Sequence, residues 1–228
     1  MNAHFTYLLV DLGCLLVPLL FSFHRSIRFD REWKFVAVPA LITSLFFLAW
    51  DALFTAHGVW GFNPDYVLGI YVYNLPLEEI LFFLCIPYAC VFTYFCIRKM
   101  VPSMRTKNSG TVALLLGTAL VITGLLNYTR LYTLSTLVLC GTGILVAWFT
   151  IREYLTVFFV AYLLVIPFFL LSNGILTGTF LEAPVVWYNN EENLGVRILT
   201  IPAEDVFYGM LLILMNVIGY ERVRAGRQ

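Results

Sequence analysis

Seven apolar stretches, at about residues 5 to 23, 35 to 54, 76 to 97, 111 to 127, 131 to 150, 154 to 172 and 202 to 220, occupy most of this 228-residue chain. A bilayer core is crossed by about 20 apolar residues in a helix. Open sheets and irregular backbone cannot satisfy their polar groups in lipid. The pattern therefore predicts an all-α integral membrane protein with seven transmembrane helices. Charged residues make up 12% of the chain and hydrophobic ones 61%, against about 25% charged in soluble domains. The first stretch lacks a basic leader and a small-residue cleavage site, so a retained helix is expected there, not a removed signal peptide. Cys14, Cys85, Cys90, Cys96 and Cys140 all lie inside apolar runs without ligand or redox spacing and read as core residues.

Basic residues set the orientation, because cytoplasmic loops carry the excess of Lys and Arg. Arg25, Arg28, Arg31 and Lys34 fall in the first loop, Arg98, Lys99, Arg105 and Lys107 in the third, Arg152 in the fifth, and Arg222, Arg224 and Arg227 in the tail. Only Arg130 and Arg197 lie opposite. This predicts an N-terminus outside, a C-terminus in the cytoplasm and a multi-pass place in the cell inner membrane. The formal net charge of zero points to no nucleic-acid partner.

Within this apolar frame one polar motif occurs twice. Pro76-Leu77-Glu78-Glu79 and Pro202-Ala203-Glu204-Asp205 stand 126 residues apart, each opening an apolar segment. The same offset pairs Asn63 with Asn189, Leu68 with Leu194, Gly69 with Gly195 and Leu75 with Ile201. At an offset of 122, Trp50-Asp51 matches Ser172-Asn173, and Thr55 matches Thr177. The expected organisation is a first repeat over 1–100 (helices one to three), a linker with helix four over 101–129, and a second repeat over 130–228 (helices five to seven). Four crossings separate the copies, so they share one orientation, and a pseudo-twofold axis along the membrane normal follows.

Carboxylates at hydrocarbon depth cost several kcal/mol unless paired, protonated or facing an internal cavity, so an intramembrane acid is a functional-site hypothesis. A purely structural account also exists: proline suits a helix start, and acids in the first turn complement the helix dipole. It covers Pro and one acid. Adjacent acids diverge by about 100° around a helix, so one of each pair can face the bundle interior. Asp51 reads either as an interfacial anchor or as a partner of a motif acid. Aromatic residues near the motifs, namely Trp50, Trp60, Tyr71, Tyr73, Phe82, Phe83, Trp187, Tyr188, Phe207 and Tyr208, serve as interfacial or core residues, or stabilise a cation if the reaction passes through one. No dinucleotide fingerprint, P-loop or Cys/His cluster is present, which predicts chemistry on carboxylates alone with no cofactor and no metal. The seventh segment has no lysine, which argues against a retinal Schiff base.

With Trp50-Asp51-x-x-Phe54-Thr55-x-x-Gly58-Val59-Trp60-Gly61-Phe62-Asn63, Leu68-Gly69 and Pro76-Leu77-Glu78-Glu79, then Asn189, Leu194-Gly195 and Pro202-Ala203-Glu204-Asp205, the chain resembles the small membrane lycopene cyclases. These occur as two short subunits or their fusion in bacteria and archaea, and as the front half of a fused phytoene synthase in fungi. The resemblance covers essentially the whole chain in fused form.

It implies a lycopene β-cyclase in carotenoid biosynthesis, an intramolecular lyase or isomerase that closes the acyclic ends of lycopene without net redox change, giving γ-carotene and β-carotene. An acid protonates C2, a tertiary cation forms at C1, the C5–C6 double bond attacks, and loss of the C6 proton gives a β ring. A buried carboxyl with a second one beside it suits such an acid, since both features favour the protonated form. Glu78 and Glu204, identical between repeats, are the expected proton donors, with Glu79 and Asp205 as cation stabilisers or terminal bases; swapped roles remain open. Asp51, Asn63, Trp60, Asn173, Asn189, Tyr73, Phe82 and Tyr208 are the expected binding or supporting residues. Partners implied are lycopene, membrane lipid and other enzymes of the carotenoid pathway. A carotenoid- or lipid-binding membrane protein or transporter with a carboxylate relay, and a membrane prenyltransferase, are the competing readings.

Overall fold

A computed structural model describes residues 3–106 and 108–226; Lys107 and Arg227, counted above for orientation, lie outside the described residues. Seven helices are long and apolar enough to cross a membrane: α1 (Thr6–Ser22), α2 (Trp33–Ala56), α3 (Leu77–Met100), α4 (Ser109–Leu126), α5 (Leu131–Thr150), α6 (Leu155–Leu176) and α7 (Ala203–Ala225). All seven expected segments are present, most extended by a few residues at one or both ends. The chain is an all-α membrane protein.

The helices pack across the two halves. α1 lies on α3 and α5 lies on α7, while α2 packs against α7 and α6 against α3. Each motif helix thus has one neighbour from its own half and one from the other. At the end opposite the motifs, Glu221 of α7 accepts from Tyr94 of α3 at 2.7 Å and pairs with Arg98. Glu32 accepts from Tyr220 at 2.6 Å, tying α7 to the start of α2.

α4 rides on α5. The reason is a seam of glycines: a Cβ on Gly141 would stand 2.6 Å from the Gly117 carbonyl oxygen, and one on Gly117 would stand 3.0 Å from that of Gly141. In lipid, where no hydrophobic force draws apolar helices together, such close backbone approach is what packing relies on.

Short strands cap the motif end: β1 (Trp60–Phe62), β2 (Tyr71–Val72), β3 (Leu75–Pro76), β4 (Val186–Tyr188), β5 (Arg197–Ile198) and β6 (Ile201–Pro202). β1 and β4 pair antiparallel, Trp60 with Tyr188, Gly61 with Trp187 and Phe62 with Val186. Positions 60–62 are the repeat counterparts of 186–188, so this ladder is symmetric about Gly61 and Trp187. Its flanks repeat the symmetry: the Asn63 N–H donates to Val185 at 2.8 Å, and the Asn189 N–H to Val59 at 2.8 Å. A pseudo-twofold axis passes between Gly61 and Trp187.

The hairpins β2–β3 and β5–β6 deliver the chain to α3 and α7 in the same way twice. The Leu77 N–H donates to Ile70 at 2.8 Å, and the Ala203 N–H to Val196 at 2.9 Å. Gly69 and Gly195 sit at φ +79° and +70°, the left-handed region that glycine enters without penalty. That explains why the repeat pairs these two glycines.

Candidate active site

Each motif places two adjacent acids at a helix start, and the roughly 100° between neighbouring side chains gives them different surroundings. Glu78 and Glu204 are buried and turn to their own loops. Glu78 accepts the Leu68 N–H at 2.6 Å, and Glu204 accepts the Leu194 N–H at 2.7 Å. Glu204 also accepts from Thr133 of α5 at 2.6 Å. These acids pin the Leu-Gly segments to the helices, which is why the repeat pairs Leu68 with Leu194.

Glu79 and Asp205 face inward instead, into a cavity of about 790 Å³. Both line the same cavity, together with Asp51, Asn173, Trp60, Tyr132, Tyr188, Tyr208 and Phe82. The pseudo-twofold axis brings the two motifs to one chamber.

Their partners differ. Asp205 accepts three hydrogen bonds: Tyr132 of α5 at 2.5 Å, Asn173 of α6 at 2.8 Å and Tyr188 of β4 at 2.9 Å. Three converging donors suit an anion. Burial, and Asp205 beside it, holds Tyr188 well above the ordinary tyrosine range, so its phenol remains a donor. Glu79 accepts from Tyr7 of α1. Its other neighbour is Asp51, lying carboxyl against carboxyl. Two carboxyls in contact, shielded from water, share a proton more readily than they carry two charges. One half of the site thus presents an acid pair and the other a well-solvated carboxylate.

Aromatic rings wall this chamber. Trp60 stands 5.0 Å from Phe54 and 5.1 Å from Tyr132, centroid to centroid, and Tyr208 is 5.1 Å from Trp50. Ring faces attract positive charge. The Tyr208 hydroxyl has no hydrogen-bond partner among the described residues.

Of the residues singled out from sequence, Glu79, Asp205, Asp51, Asn173, Trp60, Phe82 and Tyr208 come together at the cavity. Glu78 and Glu204, expected as proton donors, do not line it, because the loop N–H groups claim them. Asn63 and Asn189 cap turns, accepting from the N–H of Asp65 and Glu191 at 3.0 Å each. Tyr73 is the clear correction: at φ +60° in the tight β2–β3 turn it is 83% exposed and turned away from the cavity.

Three site residues escape the duplicated motif. Tyr7 and Tyr132 are separated by 125 residues, one short of the motif offset, so a fixed-offset comparison misses them. Asp11 lies one turn beyond Tyr7 on α1, wholly buried near Glu79 and Glu78, with neither carboxyl oxygen hydrogen-bonded. Its signal is a lone acid inside the first apolar segment.

A lycopene cyclase family profile matches residues 4–97 and 129–223 in two segments, together most of the chain. The chain belongs to the lycopene cyclase family. Among curated proteins, it is 27% identical over 90 residues to the bifunctional lycopene cyclase/phytoene synthase of Podospora anserina, which covers 40% of this chain and 14% of the relative. The corresponding Aspergillus niger protein is 28% identical over 81 residues, 33% of this chain and 14% of the relative. The matches thus span about a seventh of the length of these fungal relatives. No solved structure matches the chain.

Proposed function

We propose that this protein is a lycopene β-cyclase that closes the acyclic ends of lycopene to β rings by acid initiation, without net redox change. One observation carries the reading: Glu79 and Asp205, from the two copies of the motif, face a single apolar, aromatic-walled cavity. The family supplies the substrate class; the geometry supplies roles.

The Asp51–Glu79 pair holds the proton that is delivered to C2 of the terminal double bond. The tertiary cation at C1 forms between aromatic faces and the Asp205 carboxylate. The C5–C6 π electrons then form the C1–C6 bond, and positive charge passes to C5. Asp205, or the emptied Glu79, takes the C6 proton, and the C–H electrons restore the C5–C6 double bond. One proton enters and one leaves, so the ring closes as an isomerisation. Tyr7, Tyr132, Asn173 and Tyr188 hold the two acids in place. The roles of donor and stabiliser fall to the second acid of each motif, with Glu78 and Glu204 positioning the loops. The enzyme that supplies lycopene precedes it in the same membrane.

Expression in bacteria that accumulate lycopene tests this directly. The red pigment turns yellow-orange, and chromatography finds monocyclic and dicyclic carotenes. Unchanged lycopene in cells that contain the inserted protein would favour a binding or transport role instead.

A further inference from the structure

The cavity is lopsided although the fold is duplicated. On one side α1 and α6 edge it over much of their length, and its rim residues Leu9, Val17, Phe168 and Leu171 are 44%, 58%, 71% and 56% exposed. There the cavity opens sideways, at the depth where lipid surrounds the bundle. Their counterparts α5 and α2 give it, among the described residues, only Tyr132 and Asp51.

Two substitutions between the repeats account for this. Ser172 lines the cavity on α6, whereas its counterpart on α2 is Trp50, which is 6% exposed. The Trp50 ring lies 5.6 Å from Phe47, 5.7 Å from Phe54 and 5.1 Å from Tyr208, filling the matching space. On α1 the edge is Gly13, where an added Cβ meets nothing within 4 Å. With Tyr7 matched to Tyr132, the counterpart of Gly13 is Val138, which sits against Gly124 of α4. Trp50 and α4 thus seal the second path.

The open slot also suits a particular occupant. It runs along α3 from Glu79 to Thr93, 14 residues or about 21 Å at 1.5 Å per residue. Its carboxyls are grouped at the motif end, and no lysine, arginine or histidine lines it. A phosphate headgroup finds no cation there; a thin apolar rod with its reacting end at the acids fits.

Resting on the cyclase reading above, we propose that the slot between α1 and α6 is the single lateral entrance for one end of a linear polyene, with Trp50 closing the matching path in the other half. One end at a time reaches Glu79 and Asp205 while the rest of the molecule remains in the slot and the lipid. A dicyclic product then requires withdrawal, reversal and a second entry.

The test blocks the slot from either side. Ser172→Trp copies the residue of the closed half, and Gly13→Trp fills open space on the opposite edge. Ile42→Trp, on the outer face of α2 where Ile42 is 60% exposed, is the control. Each is expressed in lycopene-producing cells and purified in detergent, and carotenoid carried per protein is measured alongside cyclic product and melting temperature. Both slot variants are expected to lose about tenfold or more of carried pigment and of product, since a clash at the entrance acts on binding itself. The control stays within about twofold of the parent protein, the range of ordinary surface substitutions. Undiminished pigment in either well-folded slot variant would overturn the entrance, whatever the chemistry. A parent protein that carries lycopene unchanged, with slot variants that do not, would overturn the cyclase reading and leave the entrance standing. A parent that neither carries nor converts lycopene overturns both.

Discussion

Asp51 and Asn173 occupy matching places on α2 and α6, each against the second acid of a motif, and they differ by one functional group. Asn173 gives Asp205 an N–H at 2.8 Å; Asp51 gives Glu79 a carboxyl. That difference separates a stabilised anion from a proton-sharing pair. Asp51→Asn makes the first half resemble the second and removes the shared proton. Turnover of lycopene is expected to fall by about a hundredfold, the scale of general acid catalysis, with insertion unchanged. The exchange Asp51→Asn with Asn173→Asp restores one acid pair, now around Asp205, and is expected to recover at least part of that loss. A double variant no better than the single one would contradict the pairing.

The four motif acids divide into two classes with different signatures. Glu79→Gln and Asp205→Asn remove groups that face the cavity, so each lowers turnover by about 100-fold or more with little change in melting temperature. Glu78→Gln and Glu204→Gln weaken charge-assisted bonds to the Leu68 and Leu194 N–H groups, worth about 1.5–3 kcal/mol each. These two are expected to lower thermal stability, and to affect turnover less than their neighbours do. Turnover and melting curves on all four distinguish the classes; the reverse ranking would return the donor role to the first acids.

The bundle was legible because membrane length and backbone satisfaction leave a helix as the default, and the cap was legible through Leu68, Gly69 and their partners, whose loop roles repeat at one offset. Which acid faces inward was not. Identity between repeats favoured Glu78 and Glu204, but identity here reflects a shared N–H partner in the loop, while the variable acids Glu79 and Asp205 meet different neighbours. Tyr7 and Tyr132 depend on how α1 and α5 slide along α3 and α7, a packing relation no offset within the motif encodes. Tyr73 fails for the opposite reason: nearness in sequence to Glu78 means little when the turn between β2 and β3 points the ring outward.

Orientation rests on the excess of basic residues in the loops at the end opposite the motifs. A reporter active only in the cytoplasm is expected to function when inserted between α3 and α4, and to be silent between α4 and α5. This places Glu79 and Asp205 toward the outer face. Activity at the second position and silence at the first would invert the protein.

The last prediction follows the proton. If ring closure starts from a carboxyl that exchanges with solvent, the hydrogen added at C2 is a solvent hydrogen, whereas the hydrogen lost from C6 belonged to the substrate. Lycopene converted in D2O by purified protein, without added flavin, nicotinamide or metal, should therefore gain one deuterium per ring formed: one in the monocyclic carotene and two in the dicyclic one. Mass spectrometry counts them, and deuterium NMR places them at C2. Recycling of the C6 hydrogen by the same acid would dilute the label on the second ring only if substrate reversed within the site faster than Glu79 exchanged. Entry of one end at a time gives the emptied acid pair the interval between visits in which to exchange, so the second ring should be labelled as fully as the first. Unlabelled product, or strict dependence on reduced flavin, would rule out a solvent-fed carboxyl as the source of the proton.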